Sequence, residues 1–175
     1  MTDQNDAARP ELPYFSVSAA KLLVMTFCTS GLYGLYWFYK NWSLIKKRDA
    51  PTIRPFWRAF FALFFCHACF KDIRASAEKR GLQNPFNADA MAVGWILTTV
   101  LWRLPDPYWL VTHLAVLFLL PVQAAANEIN RRDFPDHEVN SRFSGWNIFG
   151  IVVGGLLMVL SVLGTFMPDV PVAPQ

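Results

Sequence analysis

Apolar residues are concentrated in five blocks along this chain, and short polar connections separate the blocks. Most of the blocks approach the ~20 residues that cross a bilayer core as a helix. The pattern predicts an all-α integral membrane helical bundle, with residues 17–167 forming a single transmembrane domain between an N-terminal tail (1–16) and a C-terminal tail (168–175). The predicted helices cover residues 17–42, 55–76, 88–103, 107–130 and 145–167.

The second block differs from the others in length. Only residues 59–70 of this block are free of formal charge, which is typical of a re-entrant, interfacial or protein-buried helix. We therefore predict four transmembrane helices plus one short interfacial or re-entrant helix over residues 55–76. Five transmembrane helices are the alternative. The block at 145–167 carries no charge and is the clearest span.

The composition supports a membrane protein. Hydrophobic residues make up 54% of the 175 residues, charged residues only 17%, and the mean hydropathy is +0.25. These values exclude a disordered chain and disfavour an ordinary water-soluble domain, in which about a quarter of the residues are charged. The net charge of +3 does not indicate a nucleic-acid partner, and the three cysteines lie within apolar stretches, which argues against a disulfide scaffold.

The positions of the basic residues indicate an orientation, because the cytoplasmic flanks of membrane helices are enriched in Lys and Arg. With four spans and both termini outside, only Arg9, Lys21 and Arg103 of the 16 basic residues lie outside. With five spans, the basic residues divide almost evenly between the two sides. The count therefore favours four spans with the basic loops in the cytoplasm.

Two loops share the pattern I-x-[KR]-R-D-x-P, at residues 45–51 and 129–135. Each copy follows an apolar helix, and the four-span arrangement places both copies on the same face. The pattern indicates either an internal repeat or the common ending of a helix that leaves the membrane on its basic side. In both cases we expect the basic side chains to contact anionic lipid headgroups. These side chains are Lys46, Lys47, Arg48, Arg131 and Arg132.

A polar stripe follows one face of the fourth block. Gln123, Asn127 and Asn130 lie within about 40° of one another on a helix. Amides that face lipid are costly, so this stripe is expected to face other helices or water. A matching polar face in the first block consists of Thr26, Thr29 and Ser30. The six side chains form either a hydrogen-bonded seam between helices or the lining of a path for a small solute or ion.

Small residues predict close helix packing at two places. Gly31 and Gly34 in the first block allow the backbones of two helices to approach each other. Gly150 and Gly154 form a G-x-x-x-G spacing in the fifth block. Such a spacing lets helices touch within one chain or between chains, so intrachain packing and a homo-oligomer are both expected outcomes.

The sequence contains no G-x-S-x-G, H-E-x-x-H, phosphate-binding loop or G-x-G-x-x-G motif. Residues 66–69, Cys-His-Ala-Cys, carry metal-type side chains but lack a fourth ligand, so a buried packing cluster is the better interpretation. We expect no metal and no cofactor. For His113, a lone intramembrane histidine, a structural hydrogen bond is the favoured interpretation. A membrane enzyme acting on lipid at the cytoplasmic face, through Asp133, His137 or Glu138, is an alternative hypothesis.

The segment from Thr29 to Lys40, TSGLYGLYWFYK, resembles the T-x-G-x-Y-x-x-Y-W-x-Y-K pattern of small bacterial multi-pass inner-membrane proteins of unknown function. The resemblance covers mainly this helix and its basic exit. It implies a location in the bacterial inner (plasma) membrane, and it carries no catalytic residue over to this chain.

The leading hypothesis is a non-enzymatic interaction or scaffold subunit that binds protein partners, a second copy of itself or anionic lipid. The aromatic and basic helix ends and the missing catalytic motifs favour this class. The alternative from another class is a small-solute or ion transporter or channel lined by Gln123, Asn127 and Asn130.

Overall fold

The computed structural model describes residues 11–49 and 51–167, so the tail predicted at 168–175 and most of the N-terminal tail lie outside the described residues. Every regular element in the described part of the chain is helical, which confirms the all-α prediction. The α-helices are α1 (Ala19–Cys28), α2 (Leu32–Arg48), α3 (Pro55–Phe60), α4 (Ala62–Lys79), α5 (Ala88–Val100), α6 (Val116–Asp133) and α7 (Gly145–Thr165). Two 3₁₀ segments lie between α5 and α6, at Leu101–Arg103 and Tyr108–Ala115.

The first apolar block folds as two helices, where the pattern predicts one helix over residues 17–42. Gly31 has a φ of 90°, in the left-handed region that glycine adopts without steric cost. The Thr29 hydroxyl supports the break, since it donates to the Met25 carbonyl at 2.6 Å and accepts from the Tyr33 amide at 3.0 Å. These contacts end α1 and start α2 within three residues.

α1 and α2 form an antiparallel hairpin, and α1 runs opposite to α6. At the start of α1, the Ser18 amide donates to the carbonyl of Asn140, which lies beyond the end of α6. Near the end of α1, the Phe27 ring lies 5.3 Å from the ring of His113, which precedes α6. The closed end of this first hairpin therefore lies beside the segment that leads into α6.

α2 runs in the same direction as α6. A Cβ at Gly34 would lie 3.8 Å from Cδ1 of Leu119, and Trp37 Nε1 donates to Gln123 Oε1 one turn further along both helices. Since α1 and α2 run in opposite directions, both open ends of their hairpin lie at one end of the bundle. We call this the basic end; it contains Ser18, Arg48, Arg80 and Asp133.

α3 and α4 form a second hairpin, closed at Phe61, which divides the helix predicted over residues 55–76. The Arg58 guanidinium of α3 lies 4.4 Å above the Trp42 ring of α2. The chain then reaches the closed end of the first hairpin, where Leu63 shares a cavity with the turn between α1 and α2. α3 thus runs antiparallel to α2.

α4 returns alongside α2 to the basic end. Phe70 stacks on Phe38 with ring centroids 5.9 Å apart, and Asp72 Oδ2 accepts from Arg48 at the end of α2 at 2.8 Å. Phe38 also meets the Trp95 ring of α5 at 5.0 Å. Aromatic pairs of this kind contribute about 0.5–1.5 kcal/mol each beyond simple burial. They join the two hairpins to the rest of the bundle.

α5 and α6 form an antiparallel pair connected at the opposite end of the bundle, called the outer end. The Asn87 side chain caps α5 by accepting from the Ala90 amide at 3.0 Å. At the outer end, the Thr112 hydroxyl donates to the Thr99 carbonyl at 3.2 Å. Capping and this cross-helix bond fix both ends of α5.

α7 runs from the basic end to the outer end. Ser144 and Asn147 form a capping box at its start, and Trp109 Nε1 donates to Thr165 Oγ1 at 3.2 Å at its end. With 21 residues, α7 is about 30 Å long, which equals the thickness of a bilayer core. α1, with 10 residues, reaches only about half that height.

Two helical segments are long and apolar enough to cross a membrane, Tyr108–Asp133 and Gly145–Thr165, with mean hydropathies of 1.8 and 2.4. Only 6% of the most apolar window of α7 is buried inside the protein. A helix that exposes apolar side chains on almost its whole surface suits lipid better than water. These segments support association with a membrane.

Candidate functional site

The predicted polar stripe of α6 holds the segment ahead of α1. This segment, residues 14–18, is called the strap, and the three stripe residues are called the amide clasp. The side-chain amide nitrogens of the clasp donate to backbone carbonyls of the strap at 2.8 to 3.0 Å. Gln123 donates to Phe15, Asn127 to Val17 and Asn130 to Tyr14. Asn130 also accepts from the Tyr14 amide at 3.1 Å, so both backbone groups of Tyr14 are paired.

The clasp is hydrogen-bonded to α2 and within itself as well. Trp37 Nε1 donates to Gln123 Oε1, and Gln123 Nε2 also donates to Asn127 Oδ1 at 2.7 Å. From α2, Asn41 Oδ1 accepts from the Phe15 amide at 3.1 Å. Gln123 and Asn41 are fully buried, so these bonds lie in a medium where an unpaired amide would be costly. The stripe is therefore a sealed seam closed by the strap.

The polar residues of the first block do not meet the clasp. Thr29 is engaged in the turn of the first hairpin, and Thr26 and Ser30 line a cavity at the closed end of that hairpin. The break at Gly31 reverses the chain and separates the two polar faces. The six-residue seam expected from the sequence is absent from the described residues, and so is a solute path lined by both faces.

The glycines predicted to pack helices have different roles. Gly31 has open space around the position of a Cβ, so its role is the turn, and a Cβ at Gly34 would meet only ordinary contacts at 3.8 Å. Gly150 and Gly154 face α1, and a Cβ at Gly154 would overlap the carbonyl oxygen of Cys28. The G-x-x-x-G spacing thus brings α7 against α1 within one chain.

Most of the basic residues predicted to meet lipid headgroups are paired with acids. The pairs are Lys47–Glu11 (2.5 Å), Arg48–Asp72 (2.8 Å), Arg131–Glu128 (2.8 Å) and Arg132–Glu128 (2.9 Å). Within residues 11–49 and 51–167, Lys46 is the one member of the predicted set without a salt bridge. Arg131 and Arg132 share Glu128, so three carboxylates offset part of the charge of these four cations.

Two further contacts fasten the basic end. The Tyr14 hydroxyl donates to Asp72 Oδ2 at 2.7 Å, and burial, aided by this carboxylate, raises the pKa of Tyr14 above its ordinary value. Arg80 donates to both oxygens of Asp133, and this hydrogen bonding raises the pKa of Arg80. Tyr14 therefore stays neutral and Arg80 stays charged throughout the physiological pH range. Both contacts therefore persist throughout this pH range and hold the basic end together.

Two of the three residues of the lipid-enzyme hypothesis are engaged with separate partners. Asp133 binds Arg80 at 2.5 Å, and His137 Nε2 lies 2.6 Å from the Ser16 hydroxyl of the strap. Glu138 is exposed and has no side-chain hydrogen bond among the described residues. None of these three residues lines either of the two cavities described below, so those cavities give this hypothesis no support.

Residues 66–69 contain two buried cysteines, as the sequence pattern indicates. Their histidine, His67, contacts Asp89 Oδ1 at 2.5 Å instead of turning toward the thiols. Within the described ranges, no group of three or more His, Cys, Asp and Glu side chains is arranged to hold a metal ion.

A cavity of about 470 Å³ lies at the basic end between the first hairpin and the start of α7, and we call it the interfacial cavity. Polar and aromatic side chains from four segments converge on it. Its lining consists of Phe15, Lys21, Tyr33, Tyr36, Asn140, Arg142, Ser144, Trp146 and Asn147. Because α7 begins here, the positive end of its helix dipole also faces this region.

Lys21 is the unusual member of the interfacial cavity. Its side chain is only 3% exposed, and its ammonium group donates to Asn140 Oδ1 at 2.8 Å and to the Arg142 carbonyl at 2.6 Å. No carboxylate in the described part of the chain forms a salt bridge with it. Lysine is almost never fully buried without a charged partner. Sequence reasoning assigned Lys21 no role, because nothing local to it indicates burial.

A second cavity of about 270 Å³, the hairpin cavity, lies where the closed ends of both hairpins meet α5 and the 3₁₀ segment before α6. It is mainly apolar and has no charged residue in its lining. Its polar side chains are Thr26, Ser30, Thr99, Thr112 and His113. Two polar atoms of these side chains, Thr26 Oγ1 and His113 Nε2, are inaccessible to a water-sized probe and have no hydrogen-bond partner among the described residues.

No protein-family model, no curated protein and no solved structure matches this chain. The class of protein is therefore defined by the fold and the sites themselves. It is an all-helical protein with two candidate membrane-spanning helices, two helical hairpins and a buried lysine at the basic end.

Proposed function

We propose that this chain is a multi-pass protein of the bacterial inner membrane, with three spanning segments and two re-entrant hairpins. The spans are α5 with the 3₁₀ segment after it, α6 with the 3₁₀ segment before it, and α7. Both hairpins enter the bilayer from the basic end and turn back inside it. Irregular turns at that depth are tolerated when they pack against protein, as they do here. This topology replaces the four spans expected from the sequence.

The distribution of charge supports this orientation. In the three-span arrangement, Lys21 belongs to the basic end, whereas the four-span arrangement places it outside. Arg103 is then the one basic residue of the described chain at the outer end. The asymmetry is larger than under four spans, which favours a cytoplasmic location of the basic end.

Accessibility of single cysteines tests the orientation. Glu11 and Asp106 are both exposed in the fold, at the basic end and the outer end. In a chain with its native cysteines replaced by alanine, a membrane-impermeant maleimide added to intact spheroplasts is expected to label Asp106→Cys and not Glu11→Cys. Lys79→Cys, also at the basic end, serves as a control that is labelled only after permeabilisation. Labelling of Glu11→Cys in intact spheroplasts would restore an N-terminus outside the membrane.

Within this topology, the protein is a non-enzymatic interaction subunit that binds an anionic lipid headgroup in the interfacial cavity. The main observation that supports this proposal is the buried ammonium group of Lys21, which has no carboxylate partner in the described chain. Two of its three N–H bonds are used and the Phe143 ring lies 5.8 Å from the ammonium group, so an anionic acceptor is what the group lacks among the described residues. An anion supplies both this acceptor and the missing charge.

The surroundings of Lys21 suit a phosphate group. Arg142 lines the same cavity, and the first turn of α7 contributes the positive end of a helix dipole. Trp146 is 83% exposed beside the cavity, as expected for an aromatic side chain at the level of lipid headgroups. The cavity lies where the spanning helix α7 begins, which is the depth of the cytoplasmic headgroups in the proposed topology.

Retention of phosphatidylglycerol tests this function. The protein is reconstituted in nanodiscs with equal phosphatidylglycerol and phosphatidylcholine, and the lipids that stay bound after release into the gas phase are counted by native mass spectrometry. A cation near a headgroup contributes about 1 kcal/mol, so Arg142→Gln is expected to lower phosphatidylglycerol retention about fivefold. Lys21→Gln is expected to lower it at least as much.

Two charge-matched variants serve as controls. Lys79→Gln removes an exposed charge at the same end of the bundle, and Arg103→Gln removes one at the outer end. Both are expected to retain phosphatidylglycerol as the native chain does. Because Lys21 is buried, its variant is first checked for an unchanged melting midpoint, while exposed Arg142 carries the test without that concern. Native retention in Arg142→Gln, or equal losses in all four variants, would contradict the proposal.

Binding of a protein partner or of a second copy belongs to the same proposed class. The G-x-x-x-G face does not support it, because Gly154 packs against α1. Transport through the polar stripe is likewise not proposed, because the clasp is occupied by the strap.

A further inference from the structure

Arg58 of α3 is a partly buried cation whose charge the fold does not balance. Arg74 and Arg80, later in the chain, are also partly buried, but Arg74 bonds Glu78 at 2.7 Å and Arg80 bonds Asp133 at 2.8 Å. Within the described part of the chain, no carboxylate forms a salt bridge with Arg58, and its guanidinium group donates no hydrogen bond. A charge that is removed from water is costly unless it is paired. Arg58 therefore differs from the other two arginines in lacking an anionic partner.

Two aromatic rings hold the guanidinium group of Arg58 in place. Its central carbon lies 4.4 Å from the centroid of the Trp42 ring and 5.2 Å from that of the Phe65 ring. Cation–π contacts of this kind use the charge and leave the N–H groups without acceptors. The inaccessible unpaired polar atoms of the described chain belong to Thr26, Trp42 and His113, so the nitrogens of Arg58 can be reached from outside the protein. Arg58 thus presents positioned donors to whatever lies beside the second hairpin.

The level of Arg58 in the bundle is fixed by its contact with Trp42. Asn41, the residue before Trp42 in α2, accepts from an amide of the strap at 3.1 Å. The strap ends at Ser18, whose amide donates to the carbonyl of Asn140, shortly before the start of α7. The ring beneath Arg58 therefore lies near the level at which α7 begins. In the proposed topology this is the level of the cytoplasmic lipid headgroups.

The guanidinium group determines what the ligand offers. Its N–H groups form a planar fork that binds two oxygen atoms of one phosphate group, and phosphates are the common anions at headgroup depth. Arg54, also without a salt bridge in the described chain, adds a second positive charge one helical turn away, since the Arg58 amide bonds its carbonyl at 3.2 Å. This charge disfavours a headgroup that carries an ammonium group. We infer that Arg58 binds the phosphate of an anionic phospholipid, at a site separate from the interfacial cavity.

Lipid binding at Arg58 rests on the proposed membrane placement and not on the interfacial cavity. No residue of the second hairpin lines that cavity. Unchanged phosphatidylglycerol retention in Arg142→Gln would therefore contradict binding in the interfacial cavity and leave the site at Arg58 standing. The two sites are distinguished by which peptides a lipid probe labels.

Photolabelling with a phosphatidylglycerol probe tests the site. The probe carries a diazirine beside its phosphate and is present in trace amount in nanodiscs of phosphatidylcholine. It is expected to label peptides of α3 and α4, and labelling is expected to fall when unlabelled phosphatidylglycerol replaces phosphatidylcholine. Excess glycerol phosphate, which has the phosphate but no acyl chains, is expected not to compete. Displacement by glycerol phosphate would indicate a site for soluble phosphate esters and would overturn binding of a lipid.

Four variants complete the test. Loss of one cation beside a headgroup weakens binding about fivefold, so Arg58→Gln is expected to lower labelling of α3 and α4 at least about fivefold. Arg58→Lys retains the charge but not the fork, so its labelling is expected to lie between that of Arg58→Gln and that of the native chain. Arg54→Gln removes an exposed charge and is expected to lower labelling between about twofold and fivefold. Lys79→Gln removes an exposed charge at the end of α4 and is expected to label as the native chain does.

The same probe separates the two sites. Arg58→Gln is expected to leave labelling at the start of α7 unchanged, and Arg142→Gln is expected to leave labelling of α3 and α4 unchanged. The site at Arg58 would be overturned by native labelling of α3 and α4 in Arg58→Gln, by labelling that phosphatidylglycerol does not displace, or by no labelling of these helices in the native chain. An unchanged melting midpoint of Arg58→Gln separates loss of the site from loss of the fold. If that midpoint falls, exposed Arg54 decides, and native labelling in Arg54→Gln would overturn the site.

Discussion

Replacement of Gly154 by alanine is expected to separate α7 from α1 and to lower the free energy of unfolding by about 3 kcal/mol. A Cβ at this position would overlap the carbonyl oxygen of Cys28 and lie 3.1 Å from its carbonyl carbon. Both atoms belong to backbone, so no side-chain rotation relieves the overlap, and the cost reaches the upper part of the range for overpacking. Unfolding by sodium dodecyl sulfate in mixed micelles measures the change.

The neighbouring glycine provides a matched control. A Cβ at Gly155 would meet no atom within 4 Å, although the residue lies in the same helix. Gly155→Ala is expected to leave the protein as stable as before or to stabilise it by up to about 1 kcal/mol, because alanine favours the helix. Equal stability of Gly154→Ala and Gly155→Ala would show that α7 is not held by this contact.

Replacement of Gln123 by leucine is expected to lower the free energy of unfolding by about 2–6 kcal/mol. The change preserves size but removes the acceptor for Trp37 Nε1 and the donor for the Phe15 carbonyl. Both groups are buried, and each unsatisfied buried group costs about 1–3 kcal/mol. The strap should also loosen, so proteolysis near residue 14 should become faster than in the native chain.

Gln83→Leu makes the same substitution at an exposed glutamine that has no side-chain hydrogen bond among the described residues. It is expected to change stability by less than about 0.5 kcal/mol, as surface substitutions usually do. A loss in Gln83→Leu equal to that in Gln123→Leu would indicate a general effect of added apolar surface. The clasp would then not be the cause.

The presence of helices could be predicted from the sequence, but their directions could not. Apolar blocks predict helices because burial of a long apolar run demands satisfied backbone groups, and this holds whether the helix spans or turns back. The reversal of the first block depends on φ at Gly31, and glycine is also frequent within continuous membrane helices. The block is long enough to span a membrane, but in the structure it folds into a hairpin.

The polar stripe illustrates a similar division. Its spacing predicts that the three amides share a face and avoid lipid, and the structure places all three toward one seam. Their partners are backbone groups of the strap, which no periodicity connects to α6. Lys21 and Thr26 are comparable cases, because their burial results from loops and helices that are distant in sequence. Local sequence patterns do not indicate such long-range contacts.

Four of the five basic residues expected to meet headgroups show why charge position alone was insufficient. A count of Lys and Arg detects the side of the membrane, since every cation near a helix end contributes to the asymmetry. It does not detect which cations the fold pairs with its own carboxylates. Arg48 and Arg132 contact acids on their own or neighbouring helices, whereas Lys21, which the count placed outside, has none in the described chain.

The strap sets an order for biosynthesis. Tyr14 emerges from the ribosome 116 residues before Asn130, its partner at both backbone groups. In the proposed topology, the strap stays at the cytoplasmic surface while both hairpins and α5 are made, and α6 enters the bilayer before its amides have bonded the strap. Closure of the clasp is then a late step that joins the first part of the described chain to α6. In that topology, a nascent chain that moved its N-terminus across the membrane could not form the contacts between Tyr14 and Asn130.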